Sequence, residues 1–171
     1  KGLKTLGAEL GDMNLPPLGQ YGVAMCFLPQ DFVARHECEQ ALERVDASTP
    51  PALEALLQMS WSQAAHPRSG AAELAAAERA VTLYRALEDR QGLYLALAHL
   101  AVVAALIGDL PTSERASLEC QQLHDAGWPP ASRWHLLYAR SFLLLCSGRY
   151  AQAHAVNEQC LHLAMTLDDT A

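Results

Sequence analysis

His154, Glu158 and His162 follow one another at i, i+4 and i+8, the spacing that lines residues up along one stripe of an α-helix. Imidazole and carboxylate both ligate zinc, so the first chemistry to test is a metal site. The two histidines would stand about 12 Å apart along the axis, and no third ligand is fixed by spacing for either adjacent pair. Ala153, Val156, Cys160, Leu163, Ala164 and Leu167 take the opposite side of the same helix, so the stripe is expected to face solvent and no metal is expected. Cys160 and His162, two residues apart, point to different sides and do not chelate together.

Cys26, Cys38, Cys120, Cys146 and Cys160 are odd in number and contain no CxxC pair. Neither a disulfide framework nor a zinc ribbon is signalled; free thiols in a reducing cytoplasm fit. Glu37, Glu39 and Glu43 recur along one segment, as on a solvated face. GxxxxGK[ST], GxSxG and HExxH are all missing, so no P-loop, nucleophile elbow or zincin is encoded. No catalytic residue and no cofactor are expected, and the chain is not expected to be an enzyme.

A hydrophobic content of 51% over 171 residues is enough for an ordinary core. The net charge of −7 argues against a direct nucleic-acid partner or an acidic membrane surface. The longest apolar run, Leu93 to Ile107, is broken only by His99 and spans about 22 Å as a helix, short of a bilayer core of about 30 Å. The N-terminal stretch KGLKTLGAELGDMNLPP lacks the apolar centre of a secretory signal, and a cytoplasmic location is expected. Ten of the twelve basic residues are arginine, the lysines being Lys1 and Lys4; with so much alanine this suggests a GC-rich bacterial source. The row opens on lysine and stops at LDDTA, and is expected to be a piece of a longer protein.

The elements that position these side chains are helical. Strand alternation is nearly absent, while apolar residues recur at spacings of three and four. Breaks are expected near Pro29–Gln30, Pro50–Pro51, Pro67 to Gly70, Gln91–Gly92, Gly108–Asp109, Trp128 to Pro130 and Gly148. Internal periodicity anchors on Gly148, Gly108, Gly70 and Pro29. Eleven residues before these stand Leu137, Leu97, Met59 and Leu18. Seven before stand Ser141, Ala101, Gln63 and Gly22, and four before stand Leu144, Ala104, His66 and Met25. Five after stand Ala153, Ser113, Ala75 and Ala34; twelve after stand Cys160, Cys120, Thr82 and Ala41. Small residues let paired helices approach, larger ones fill the space between successive pairs, and glycine accepts the positive φ that ends the first helix. An all-α chain of about four antiparallel helix pairs is expected, one domain over 1–171 with repeats near 15–46, 51–88, 93–126 and 131–167.

Leu137, Ser141, Leu144, Gly148, Tyr150, Ala153 and Cys160 carry the pattern best, and it resembles the tetratricopeptide repeat. In that family Tyr150's position wedges the two helices. Where the family has an aromatic midway along its second helix this chain has Arg79, Ser117 and Asn157, and its spacing is longer than the usual 34 residues. The longer spacing, with the stretch AVTLYRALEDRQGLYLALAHLA, resembles the α-α superhelices of large bacterial transcriptional regulators of the LuxR and maltose-activator type, and of ATPase- or cyclase-linked signalling proteins. The resemblance implies a concave ligand face at Leu57, Ser60 and Ala64; Leu95, Ala98 and Val102; and His135, Tyr138 and Phe142, with Trp134 beside the last set. Such a face suits a protein or peptide partner, including other domains of the parent chain. A second reading is sensing of a small apolar effector near Trp134, His135, Tyr138 and Phe142. A third is an oligomer joined through exposed solenoid ends.

Overall fold

The computed structural model describes residues 32–64, 70–124 and 132–168. Among the described residues the chain is all-helical, without strands: α1 Phe32–Leu42, α2 Pro51–Ala64, α3 Gly70–Ala86, α4 Arg90–Leu106, α5 Leu110–His124, α6 Arg133–Cys146 and α7 Tyr150–Asp168. Leu18, Gly22, Met25, the break at Pro29–Gln30, the turn at Pro67 and the break at Trp128 to Pro130 lie outside the described residues. No described helix is long and apolar enough to cross a membrane. The helices group into two compact units, one holding α1 to α3 and the other α4 to α7.

In the first unit α2 packs against both α1 and α3. Trp61 Nε1 donates to Glu39 Oε1 at 3.2 Å, tying α2 to α1. Ser62 Oγ donates to the Glu73 carbonyl at 2.9 Å, and Arg79 grips Glu54 with two bonds, Nε to Oε1 at 2.8 Å and Nη2 to Oε2 at 3.2 Å. Both links are centred near residue 67, as two antiparallel helices require. Leu53, Leu56, Leu57 and Met59 from α2, with Ala76, Ala77, Ala80 and Val81 from α3, are buried.

In the second unit α4 pairs with α5 and α6 with α7, and α6 also lies against α4 and α5. Ser113 Oγ donates to the Ala101 carbonyl at 2.7 Å, and Cys120 Sγ donates to the Tyr94 carbonyl at 3.6 Å. Both links are centred on residue 107. Tyr94 is fully buried, and its hydroxyl donates to the Ser132 carbonyl at 2.5 Å, fastening α4 to the entry of α6. Ser141 Oγ donates to Asn157 Oδ1 at 2.7 Å between α6 and α7, beside a core of Leu137, Leu144, Ala153 and Val156.

The period is more regular than the sequence suggests. α3, α5 and α7 begin at Gly70, Leu110 and Tyr150, 40 residues apart. Gly70 is therefore a helix start, equivalent to Leu110 and Tyr150, and the position equivalent to Gly108 and Gly148 is Arg68, outside the described residues. A slip of two residues rotates a helix by about 200° and reverses its faces. So Ala75 and Thr82, expected at the helix contact, are exposed, while Glu73 and Ala80, equivalent to Ser113 and Cys120, are buried. Leu57, Leu97 and Leu137 share one position in the corrected register, and all three are buried. Arg79 likewise is not the counterpart of Ser117 and Asn157; Ala77 is. Tyr150, expected as a wedge, is 69% exposed at the start of α7.

Three helix ends close in the same way. Asp109 N–H donates to the Ala104 carbonyl and Gly108 N–H to that of Ala105; Arg149 with Leu144, and Gly148 with Leu145, repeat the geometry, as do Asp89 with Tyr84 and Glu88 with Arg85. This is a Schellman closure, which needs a left-handed residue just past the helix. Gly108 (φ 86°) and Gly148 (φ 73°) supply it, but Glu88 (φ 55°) fills the third place. The break expected at Gln91–Gly92 falls at 87–89 instead, and Gly92 is buried in the first turn of α4. Asp109 also caps α5, accepting from the Thr112 N–H at 3.1 Å.

A left-handed non-glycine residue costs about 1–2 kcal/mol, partly offset because glycine loses more entropy on folding. Glu88→Gly should therefore stabilise the chain by about 0.5–1 kcal/mol, read as a higher urea midpoint. A β-carbon at Gly108 or Gly148 would meet nothing within 4 Å. Gly148→Ala should thus lower stability by the backbone penalty alone, about 0.5–1 kcal/mol.

Candidate functional site

Trp134, Tyr138 and Phe142 recur at i, i+4 and i+8 on α6 and lie on one stripe. Leu137, Ser141 and Leu144 turn toward α7, and Leu136, Ala139 and Leu143 form a second buried stripe. Two sides of α6 are thus committed to packing, and the aromatics take the third. Trp134 and Tyr138 stack with ring centroids 5.0 Å apart and planes at 13°; Tyr138 and Phe142 follow at 4.9 Å and 58°. Offset and tilted pairs at such distances suit the ring quadrupoles. Tyr138 is 40% exposed, Leu145 two turns on is 41% exposed, and Trp134 and Phe142 are half-buried. His135 meets Trp134 edge-on at 5.3 Å, and burial lowers its pKa. The result is an uncharged aromatic strip that includes one phenol.

The remaining sequence-expected positions are placed differently. Leu57 and Ser60 on α2 and Ala98 and Val102 on α4 are buried, and Leu95 is half-buried; Ala64 ends α2. In the corrected register the counterparts of Leu95, Ala98 and Val102 are Ala55, Gln58 and Ser62, of which Ala55 and Ser62 are buried. Of these expected positions, only His135, Tyr138 and Phe142, with Trp134, bring together large side chains that solvent reaches. Sequence reasoning missed Leu145, whose equivalent Ala105 is buried; the i+11 spacing from Trp134 was the available signal.

His154, Glu158 and His162 are exposed on α7 as their spacing implied; His154 Nε2 and Glu158 Oε1 stand 4.0 Å apart. Among the described residues no group of three or more His, Cys, Asp or Glu side chains could hold a metal ion. Cys120 is fully buried, and desolvation pushes its thiol up to about 12, which suppresses the thiolate at neutral pH. Cys146 is exposed on the outer end of α6. Desolvation also raises the Tyr84 phenol, to about 12, with Asp89 adding to the shift.

Among the described histidines His99 departs most strongly: burial on α4 lowers its pKa from 6.5 to about 4. Between those values the unfolded chain takes up a proton that folded His99 refuses. Stability is then full above pH 6.5, falls as pH drops toward 4 and levels off below, a loss on the order of 2–3 kcal/mol. Urea melts between pH 7 and 4 should show a flatter slope for His99→Gln than for the parent chain, the half-buried His135 supplying part of the pH dependence that remains. Thiol chemistry gives a separate check: iodoacetamide on the folded chain should modify Cys146 and leave Cys120 untouched until denaturant is added, read by peptide mass. Compared with known proteins, the chain matches no family model, no curated protein and no solved structure.

Proposed function

We propose that the chain is a tetratricopeptide-like interaction module of a multidomain bacterial transcriptional regulator, built as a superhelix of about four helix pairs. A partner segment or another domain of the parent docks on α6, and binding there biases a distant DNA-binding or ATPase domain. The observation that supports this most is the half-exposed ladder of Trp134, Tyr138 and Phe142. A folded chain gains nothing in stability by leaving large rings partly in water, whereas aromatic side chains are enriched where partners dock and carry a large share of interface energy. The strip lacks charge, so it suits an apolar helix or extended segment rather than a carboxylate terminus or a phosphate. The module works by binding and positioning in the cytoplasm, without a catalytic centre or cofactor of its own.

The decisive variant is Tyr138→Ala with Phe142→Ala in the full-length regulator. Hot-spot aromatics cost about 2 kcal/mol or more when truncated, roughly a 30-fold loss of partner affinity. Regulated output should collapse while helicity and the unfolding midpoint stay near those of the parent. Intact regulation in that variant would show that α6 is not the docking face.

A further inference from the structure

The 40-residue period pairs the open strip on α6 with a covered one on α4. Shifted back by one period, Trp134, Tyr138, Phe142 and Leu145 become Tyr94, Ala98, Val102 and Ala105. These four are all buried, whereas Tyr138 and Leu145 are exposed and Trp134 and Phe142 are half-buried. The second helix of each pair differs in the same way. Thr112, Ser117 and Cys120 on α5 are buried; of their counterparts on α7, Gln152 and Asn157 are exposed and Cys160 is half-buried.

α6 itself accounts for the difference. It lies against both α4 and α5, and Tyr94, the counterpart of Trp134, donates its hydroxyl to the Ser132 carbonyl at the entry of α6. The stripe of α4 that carries Tyr94 therefore meets the first helix of the next pair. The same stripe on α6, together with the adjoining edge of α7, is the matching seat one period later, and among the described residues no helix lies in it.

We propose that this seat is filled by a further helix of the parent chain, which follows residue 171 and lies against α6 and α7 as α6 lies against α4 and α5. The sequence carries the junction: Leu167-Asp168-Asp169 stands two periods after Leu87-Glu88-Asp89, the residues that lead from α3 into α4. Tyr138 and Phe142 are larger than Ala98 and Val102, so the incoming helix carries glycine or alanine where they project. Its edge toward α7 is polar, because covering the Gln152 side-chain amide without a hydrogen-bond partner would oppose the contact. The inference rests on reading α6 as a docking face and names its occupant as a neighbouring repeat rather than a separate protein.

The test is site-by-site labelling with N-ethylmaleimide, read by peptide mass, of Tyr138→Cys, Gln152→Cys and His154→Cys in the 171-residue chain and in the full-length parent. His154 lies on the outward stripe of α7 and serves as the reference. In the 171-residue chain all three sites should react at similar rates. In the full-length parent the sites at 138 and 152 should slow by at least roughly tenfold while 154 keeps its rate, and removing the period that follows residue 171 should restore both. Equal labelling in the short and full-length chains overturns the proposal. Protection that survives the deletion overturns it too, since another domain or a second copy then covers α6, and the docking face stands. If the seat is open in the parent, loss of regulation in Tyr138→Ala/Phe142→Ala keeps the docking reading without this occupant, and intact regulation removes both.

Discussion

Close approach of paired helices at small side chains is the constraint on which the rest of this structure depends. Ser113, Ala101 and Ala153 are fully buried, and Ser113 bonds directly to a backbone carbonyl of the facing helix. Such a bond forms only when two helix backbones lie unusually near each other, which a leucine at either place would prevent. Once the approach is fixed, the larger residues on neighbouring turns have defined work. Leu97 and Leu137 fill the space beside it, Tyr94 reaches across to Ser132, and Cys120 serves as a small buried hydrophobe whose Sγ meets the Tyr94 carbonyl.

The turns keep that approach in register. A Schellman closure ends one helix within a residue or two, so the following helix leaves from a fixed point. In the α4–α5 turn Asp109 belongs to both helices, closing one through its N–H and capping the next through its carboxylate. The Thr112 hydrogen bond holds the Asp109 carboxyl below its ordinary value. The equal turns after α4 and α6 let α5 and α7 start at equivalent positions, Leu110 and Tyr150, 40 residues apart.

Helical class, the two Gly turns and the small positions of the last two helix pairs were legible because each rests on local chemistry. Gly108 and Gly148 sit where only a residue tolerant of positive φ is comfortable. The same rule misled at both ends of α3. Gly70 looks like a turn glycine but starts the helix, and at the other end Glu88 takes the left-handed place without glycine's signal. An error of two residues is small along the chain yet reverses a helix face, which explains how Ala75 and Thr82 could be assigned to the core while Glu73 and Ala80 occupy it. At Tyr150 the family resemblance gave a wedge, whereas the regular start of α7 turns that ring outward.

The aromatic strip shows the same logic at the level of the site. From α4 to α6, Ala98 becomes Tyr138, Val102 becomes Phe142 and Ala105 becomes Leu145; burial falls as bulk rises. In a repeat, side-chain size at a given position records how near the next element comes, since a void and a clash are both costly. Small residues at Ala98 and Ala105 record near neighbours, and large rings on α6 keep reach beyond the surface of the unit. Spacing alone could place Tyr138 and Phe142 on one stripe, but it could not say which stripe remained open. That depended on Leu137, Ser141 and Leu144 turning to α7 and on α6 also lying against α4 and α5, choices made by packing partners distant in sequence.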